Sequence, residues 1–433
     1  MKKLSTLLLL LSIFLSTGVI GQELSDKEKE ILQRVEANHA EALQFLESQV
    51  NINSGTMNFD GVRKVGENYI EAFNKLGFET RWIPQDEVNR AGHFFAEQEG
   101  SSGKKLLLIG HLDTVFEKDS PFQRYELIND STATGPGVND MKGGNVMILY
   151  ALRALKEAGA IPDAQIIVAF TGDEERAGSP VTISRKDLVE AAQRSDVALG
   201  FETASGFSYA TVARRASFSW KLTVSGRQAH SSGIFSESTG AGTVFETSRI
   251  LNRFYDELRE ENLTFNVGVI IGGNEVDYDE EAINGTVSGK TNIVPKRTIA
   301  HGGIRFLTQE QGERAFDKMH EIVSDNLPQT SAEIIFNEDG YPPMEPTDGN
   351  MKLLDILSGV SEDMSLGPVQ AFDPGRRGAA DISFIADYID GLDGLGAMGS
   401  GAHSPNETIN LNTYKDLTKR AALLIYRLTR ESD

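Results

Sequence analysis

The junction that constrains this chain most joins Leu106-Leu107-Leu108-Ile109 to Gly110-His111-Leu112-Asp113-Thr114-Val115. Four consecutive apolar residues in a strand put apolar side chains on both faces, as a parallel sheet sandwiched by helices requires. His111 and Asp113, two residues apart in extended backbone, point the same way. A loop at the carboxyl end of a parallel strand is where open α/β folds place their chemistry. Alone, the pair reads as polar residues satisfied beneath a loop. Later strand ends repeat the arrangement and shift that balance.

Other segments agree with a layered α/β half. Ser25-Asp26-Lys27-Glu28 is a capping box that starts a helix. A second helix is predicted from about Asp60 to Leu76, stopped by Gly77, then a strand from Phe78 to Ile83. Gly135-Pro136-Gly137-Val138-Asn139-Asp140-Met141-Lys142-Gly143-Gly144 is a backbone-controlled loop, followed by a helix from about Gly144 to Ala158. Gln165 to Phe170 and Val197 to Phe201 are further strands, ending in Thr171-Gly172-Asp173-Glu174-Glu175 and in Glu202. The alternation predicts α/β architecture with a mostly parallel sheet between helices.

The texture then changes. Phe218, Trp220, Leu222 and Val224 alternate with polar residues, as do Phe265, Val267, Val269 and Ile271. That period predicts antiparallel strands covered on one face. Helices are predicted at about Gly240–Leu258 and Glu310–Leu327, with strands near Ile283–Val294 and Thr298–Phe306. These describe an inserted α+β domain at 209–336, which splits the first domain into 22–208 and 337–433. A terminal helix runs from about Tyr414 to Leu428.

Residues 1–21 read as a signal peptide. Lys2 and Lys3 precede an apolar core, Leu7 to Leu15, and Val19 and Gly21 suit cleavage before Gln22. The expected product is exported, periplasmic or secreted, with no stable membrane insertion; the apolar core is short for a bilayer span. With 42 basic and 63 acidic residues the net charge is −21, which disfavours nucleic acid as a partner. The chain has no cysteine, which removes disulfides, thiol catalysis and Cys-ligated zinc.

His111, Asp113, Asp140, Glu174, Glu175, Glu202 and, far downstream, His403 are the polar groups at strand ends and loops. Two imidazoles and several carboxylates without a thiol suit zinc, cobalt or manganese. Converging carboxylates would repel one another without a cation. The competing reading is a set of unrelated surface acids.

Five blocks together resemble the di-zinc family of glutamate carboxypeptidase, acetylornithine deacetylase, succinyl-diaminopimelate desuccinylase, the tripeptidase and aminoacylase. They are Gly110–Val115, Gly135–Gly137 leading to Asp140–Gly144, Thr171–Glu175, Glu202, and Ala402-His403-Ser404-Pro405. The match covers nearly the whole mature chain, in order. The resemblance implies a ferredoxin-like inserted dimerisation or lid domain and two divalent metal ions, zinc first. It implies His111 and Glu202 on one metal, His403 and Glu175 on the other, Asp140 bridging, and a cis peptide after Asp140. It also implies Glu174 as general base and Asp113 as the partner orienting His111.

In Gly226-Arg227-Gln228-Ala229-His230-Ser231-Ser232, the resemblance makes His230 an oxyanion donor reaching the partner's site, which implies a homodimer. Asn292 matches a position near the substrate carboxylate. Arg376-Arg377-Gly378-Ala379-Ala380-Asp381 stands where the family carries a carboxylate-binding arginine, with alanines at its usual Gly and Thr positions. Arg376 and Arg377 compete for that role.

The resulting expectation is an exported di-metal hydrolase acting on a small peptide or N-acyl amino acid. It would cut an amide next to a free carboxylate, as glutamate carboxypeptidase does. An N-acyl-amino-acid deacylase of the same family is the alternative, and a non-catalytic binding protein keeping the fold is the alternative from another class. No G-x-S-x-G is present, and His320-Glu321 is not followed by the second histidine of the short metalloprotease signature.

Overall fold

The computed structural model describes residues 23–280 and 282–430. The signal-peptide expectation, at 1–21, lies outside the described residues. The capping box forms as expected: the Glu28 amide donates to Ser25 Oγ, and the Ser25 amide donates to Glu28 Oε2 at 2.8 Å.

A six-stranded sheet organises the larger half. Its order in space is Glu79–Gln85, Arg90–Gln98, Ala164–Thr171, Ser102–His111, Val197–Gly200 and Asp390–Leu392. The last three joins are parallel and the first two antiparallel. The sheet is therefore mixed, parallel where its strand ends carry the polar residues. The Leu106–Ile109 run serves both faces. Leu106 and Leu108 enter the core shared with helices Asp26–Val50, Phe59–Lys75, Lys142–Glu157 and Leu411–Leu428. Leu107 and Ile109 enter the opposite core with Leu188, Ala191, Ile382 and Ile385.

Arg90–Gln98 is a strand that the periodicity does not predict. Its buried residues include Arg90, His93 and Gln98, whose side-chain nitrogens reach carbonyls of distant segments. Helix Asp348–Asp363 is a second unpredicted element, capped by Thr347.

The inserted region forms a four-stranded antiparallel sheet in the order Thr264–Gly273, Arg297–Arg305, Phe218–Gly226, Thr330–Phe336. Helices Thr243–Glu257 and Gln309–Ser324 supply Ile250, Phe254, Met319 and Ile322 to a core with Trp220, Leu222 and Val224. Three local expectations change. The strand near Ile283–Val294 is only Asn284–Ser288, and it pairs with Glu275–Asp279 as a separate hairpin. The fourth sheet position is taken by Thr330–Phe336 instead. A bulge between Val267 and Val269 breaks the alternation and leaves Val267 exposed.

Two chain segments connect the halves and pair with each other. Arg214 and Met344 exchange backbone hydrogen bonds, as do Ser217 and Tyr341.

Candidate metal centre

In-register parallel pairing brings the predicted residues to one edge. His111 lies opposite Thr171, and Ile109 opposite Gly200, so the residues after each strand emerge side by side. Asp140 arrives on the glycine-rich loop. Gly137 there has φ +72°, and its carbonyl accepts from the Lys142 amide at 2.8 Å. The Asp140–Met141 peptide is cis, as the resemblance implies.

Asp140 stands between two imidazoles. Its Oδ1 is 3.3 Å from His111 Nε2, and its Oδ2 is 3.3 Å from His403 Nε2. His111 Nε2 also lies 3.6 Å from Glu202 Oε1, and His403 Nε2 lies 3.0 Å from Glu175 Oε2. Each triad, His111–Asp140–Glu202 and Asp140–Glu175–His403, offers one donor atom per residue within a 4.8 Å span. A third triad, His111–Glu174–Glu175, overlaps both. Two imidazoles with oxygen donors, converging without thiols, fit divalent zinc-like cations.

The electrostatics of the metal-free chain point the same way. Burial, with the neighbouring carboxylates Glu202 and Glu175, raises the Glu174 carboxyl well above its ordinary range. Burial and Asp140 push Glu202 up to about 8. Hydrogen bonds that His403 donates to Asp140 and Glu175 raise its imidazole to about 11. Burial opposes the charge of Asp140, but hydrogen bonds accepted from His111 and His403 outweigh it and hold the carboxyl below its usual range. The Glu174 and Glu202 carboxyls and the His403 imidazole are thus shifted toward their protonated forms, while Asp140 is shifted toward its ionised form.

Asp113 is committed behind the ligands. Its carboxylate accepts from Thr56 Oγ1 at 2.6 Å, from the Glu174 amide at 3.0 Å and from the Glu175 amide at 3.1 Å. Its Oδ1 lies 3.3 Å, and its carbonyl 3.1 Å, from His111 Nδ1.

Four supporting residues escape sequence reasoning. The buried Glu407 carboxylate accepts the amides of Gly137, Asn139 and Asp140 at 2.8–2.9 Å, fixing the loop. Asn145 Nδ2 donates to the His111 carbonyl at 2.5 Å. Arg185, buried, bonds Asp173 at 2.6 Å and Asp381 at 2.7 Å. Tyr341 donates its hydroxyl to the Glu174 carbonyl at 2.6 Å. Only Glu407 carried a signal, since it closes the polar loop after His403.

The remaining predicted residues form no part of these triads. His230 is exposed, with Nδ1 at 2.8 Å from Ser232 Oγ. The Asn292 carbonyl accepts from the Ser231 amide at 2.9 Å, so Asn292 and His230 lie side by side in the inserted half. Arg377 is engaged: Nε donates to Thr211 Oγ1 at 3.0 Å, Nη1 to Thr203 Oγ1 at 3.2 Å and Nη2 to the Thr203 carbonyl at 2.5 Å. Arg376 is exposed, rests on the Phe372 ring at 5.1 Å and lines a cavity of about 810 Å³. That cavity also touches Asn139, Thr203 and Ala402, the sequence neighbours of Asp140, Glu202 and His403.

Comparison with known proteins adds to this geometry. The description of Peptidase family M20/M25/M40 matches residues 107–427. The chain is 26% identical over 431 residues to carboxypeptidase G2 of Pseudomonas sp. (strain RS-16), covering 96% of each. It is 27% identical over 391 residues to a probable succinyl-diaminopimelate desuccinylase of Staphylococcus aureus (strain MRSA252), covering 82% of this chain and 91% of that one. The fold of aminopeptidase PepT from Bacillus cereus superposes with a TM-score of 0.72 at 17% identity, over 90% of this chain and 99% of that one.

Proposed function

Because the chain belongs to Peptidase family M20/M25/M40 and is a metal-dependent hydrolase, we propose that it cleaves an amide or peptide bond beside a free carboxylate. The observation that carries this reading is Asp140 held at 3.3 Å from both His111 and His403. In this proposal His111 and Glu202 would hold one zinc ion and His403 and Glu175 a second, with Asp140 serving both groups. The bound ions supply Lewis acidity and lower the pKa of a water molecule.

The chain's own residues do the rest. Glu174 takes a proton from the attacking water and returns it to the leaving nitrogen. Asp113 fixes the ring orientation of His111. The partner subunit's His230 donates to the developing oxyanion in a homodimer. Arg376 clamps the substrate carboxylate, aided by Asn292, because the Arg377 guanidinium is already engaged with Thr203 and Thr211. The inserted half spans 209–336 and the first domain the flanking segments. The mature enzyme is exported and begins at Gln22, which N-terminal sequencing of the secreted or periplasmic product checks.

The glutamate-carboxypeptidase reading is supported by 26% identity over 96% of both chains. The second reading, an N-acyl-amino-acid deacylase, rests on the likeness to the probable desuccinylase. A substrate panel separates them: N-acyl glutamates and dipeptides ending in Glu against N-succinyl diamino acids, with chelator, then with single metals restored. The proposal expects release of glutamate that stops with chelator and returns with zinc. Hydrolysis of none of the panel by the zinc-loaded protein, or full activity in chelator, would sink it.

A further inference from the structure

We infer that Tyr341, on the segment returning from the inserted half, is a positioning residue that sets the place of the Glu174 carboxylate. The inference rests on the reading of Glu174 as general base. The Glu174 residue is pinned at both of its peptide groups. Its amide donates to Asp113 Oδ1 at 3.0 Å, and its carbonyl accepts the Tyr341 hydroxyl at 2.6 Å. The Asp113 side belongs to the ligand set, because the same carboxylate lies against His111. The Tyr341 side does not: it comes from outside the central sheet.

Tyr341 is itself held fast. Its backbone exchanges hydrogen bonds with Ser217 at 2.9 and 3.0 Å, in the paired connection between the halves. Its ring packs on Phe384 with centroids 4.7 Å apart. Its hydroxyl lies 3.5 Å from Arg185 Nη2, and that guanidinium is fixed by Asp173 and Asp381. A general base must stand within hydrogen-bond reach of the proton it takes. Its side chain swings from a Cα that these two peptide bonds locate. Tyr341 therefore ties the connecting segment to the position of the base.

The same segment provides a control. Asp339 accepts from Ser179 Oγ at 2.5 Å and from the Val181 amide at 2.9 Å, and neither bond reaches Glu174. The experiment uses the zinc-loaded full chain and the variants Tyr341→Phe, Asp339→Ala, Glu174→Asp and Glu174→Asp/Tyr341→Phe. Misplacement of a catalytic group by about 1 Å costs up to about a hundredfold, so Tyr341→Phe is expected to lower kcat about 10- to 100-fold. KM should stay within about twofold, which marks an interaction used in the chemical step. Zinc content should equal that of the wild type. Asp339→Ala should leave kcat within about twofold. In the Glu174→Asp background, the Tyr341→Phe factor should shrink, because the two residues act through one group. Wild-type kcat in Tyr341→Phe, equal losses in Tyr341→Phe and Asp339→Ala, or an unchanged factor in the double variant each overturns the inference. Substantial turnover by Glu174→Gln instead removes the general-base reading itself, so the two failures are told apart.

Discussion

Asp113 and His230 illustrate two ways of using a polar side chain. Asp113 is buried, and its carboxylate meets Thr56, His111 and the amides of Glu174 and Glu175. His230, in the inserted half, is exposed, and among the described residues its side chain bonds only within its own turn, to Ser232. The surroundings differ likewise. The central sheet is covered by packed cores on both faces. The inserted half leaves Phe235, Val244, Phe245, Tyr255, Val267 and Ile270 exposed. One half spends its polar contacts on holding a charge cluster rigid. The other exposes His230 and several large apolar side chains.

The sharpest way to break this contrast is Glu174→Gln. It preserves shape and removes the proposed base, so kcat should fall about 10²- to 10⁴-fold. Metal content, measured by emission spectroscopy, should remain that of the wild type. Near-normal turnover would assign the chemistry elsewhere.

Arg185→Met tests the rigidity of the same half. It leaves the Asp173 and Asp381 carboxylates without the guanidinium that bonds both. Breaking a buried ion pair from one side costs about 3–5 kcal/mol, which chemical denaturation would read directly. A loss below 1 kcal/mol, on the order of a surface pair, would mean the network is dispensable.

His230→Ala tests the other half. Loss of the proposed oxyanion donor should lower kcat about 10²- to 10³-fold. Stability and metal content should not change, because the side chain is exposed. Mixing inactive His230→Ala and Glu174→Gln chains should then restore activity, since one mixed site would be whole. Failure of mixing to restore activity, with subunit exchange demonstrated, would place His230 outside the partner's site.

The smallest expected effect is on stability against pH. The folded metal-free chain holds Glu202 at about 8, above the ordinary carboxyl value, and Glu174 is also raised. A carboxyl raised on folding contributes stability that is complete below its unfolded pKa and lost as pH rises through the folded value. The thermal midpoint of demetallated protein should therefore drop between about pH 4.5 and pH 8. His403, raised to about 11, extends the decline above pH 6.5. Zinc should flatten the profile, and parallel profiles with and without zinc would contradict the cluster's electrostatics.

Much of this arrangement was legible because periodicity is a local record of burial. Leu106–Ile109 announced a strand buried on both faces, and its residues do alternate between two cores. Helix Asp348–Asp363 was also legible, through the Thr347 cap and the spacing of Leu353, Leu357 and Val360, yet no helix was expected there. Strand Arg90–Gln98 was not legible. Arg90, His93 and Gln98 read as polar until the carbonyls of Arg176, Ala177, Ser184, Ile161 and Ala164 come to meet them. Thr330–Phe336 lies at a sheet edge and buries little besides Ile334, so its pattern is faint.

Residues near one another in the chain were enough to mark the candidate ligand types, the strand ends that carry them and the loop that delivers Asp140. Only the tertiary structure distinguished Arg377, bonded to Thr203 and Thr211, from Arg376 at the open cavity. Only it placed Glu407 beneath Asp140 and Tyr341 against Glu174. Those pairs are separated by well over a hundred residues, and a hydrogen bond across such a distance leaves no trace in local pattern. It exists only once packing has brought donor and acceptor together.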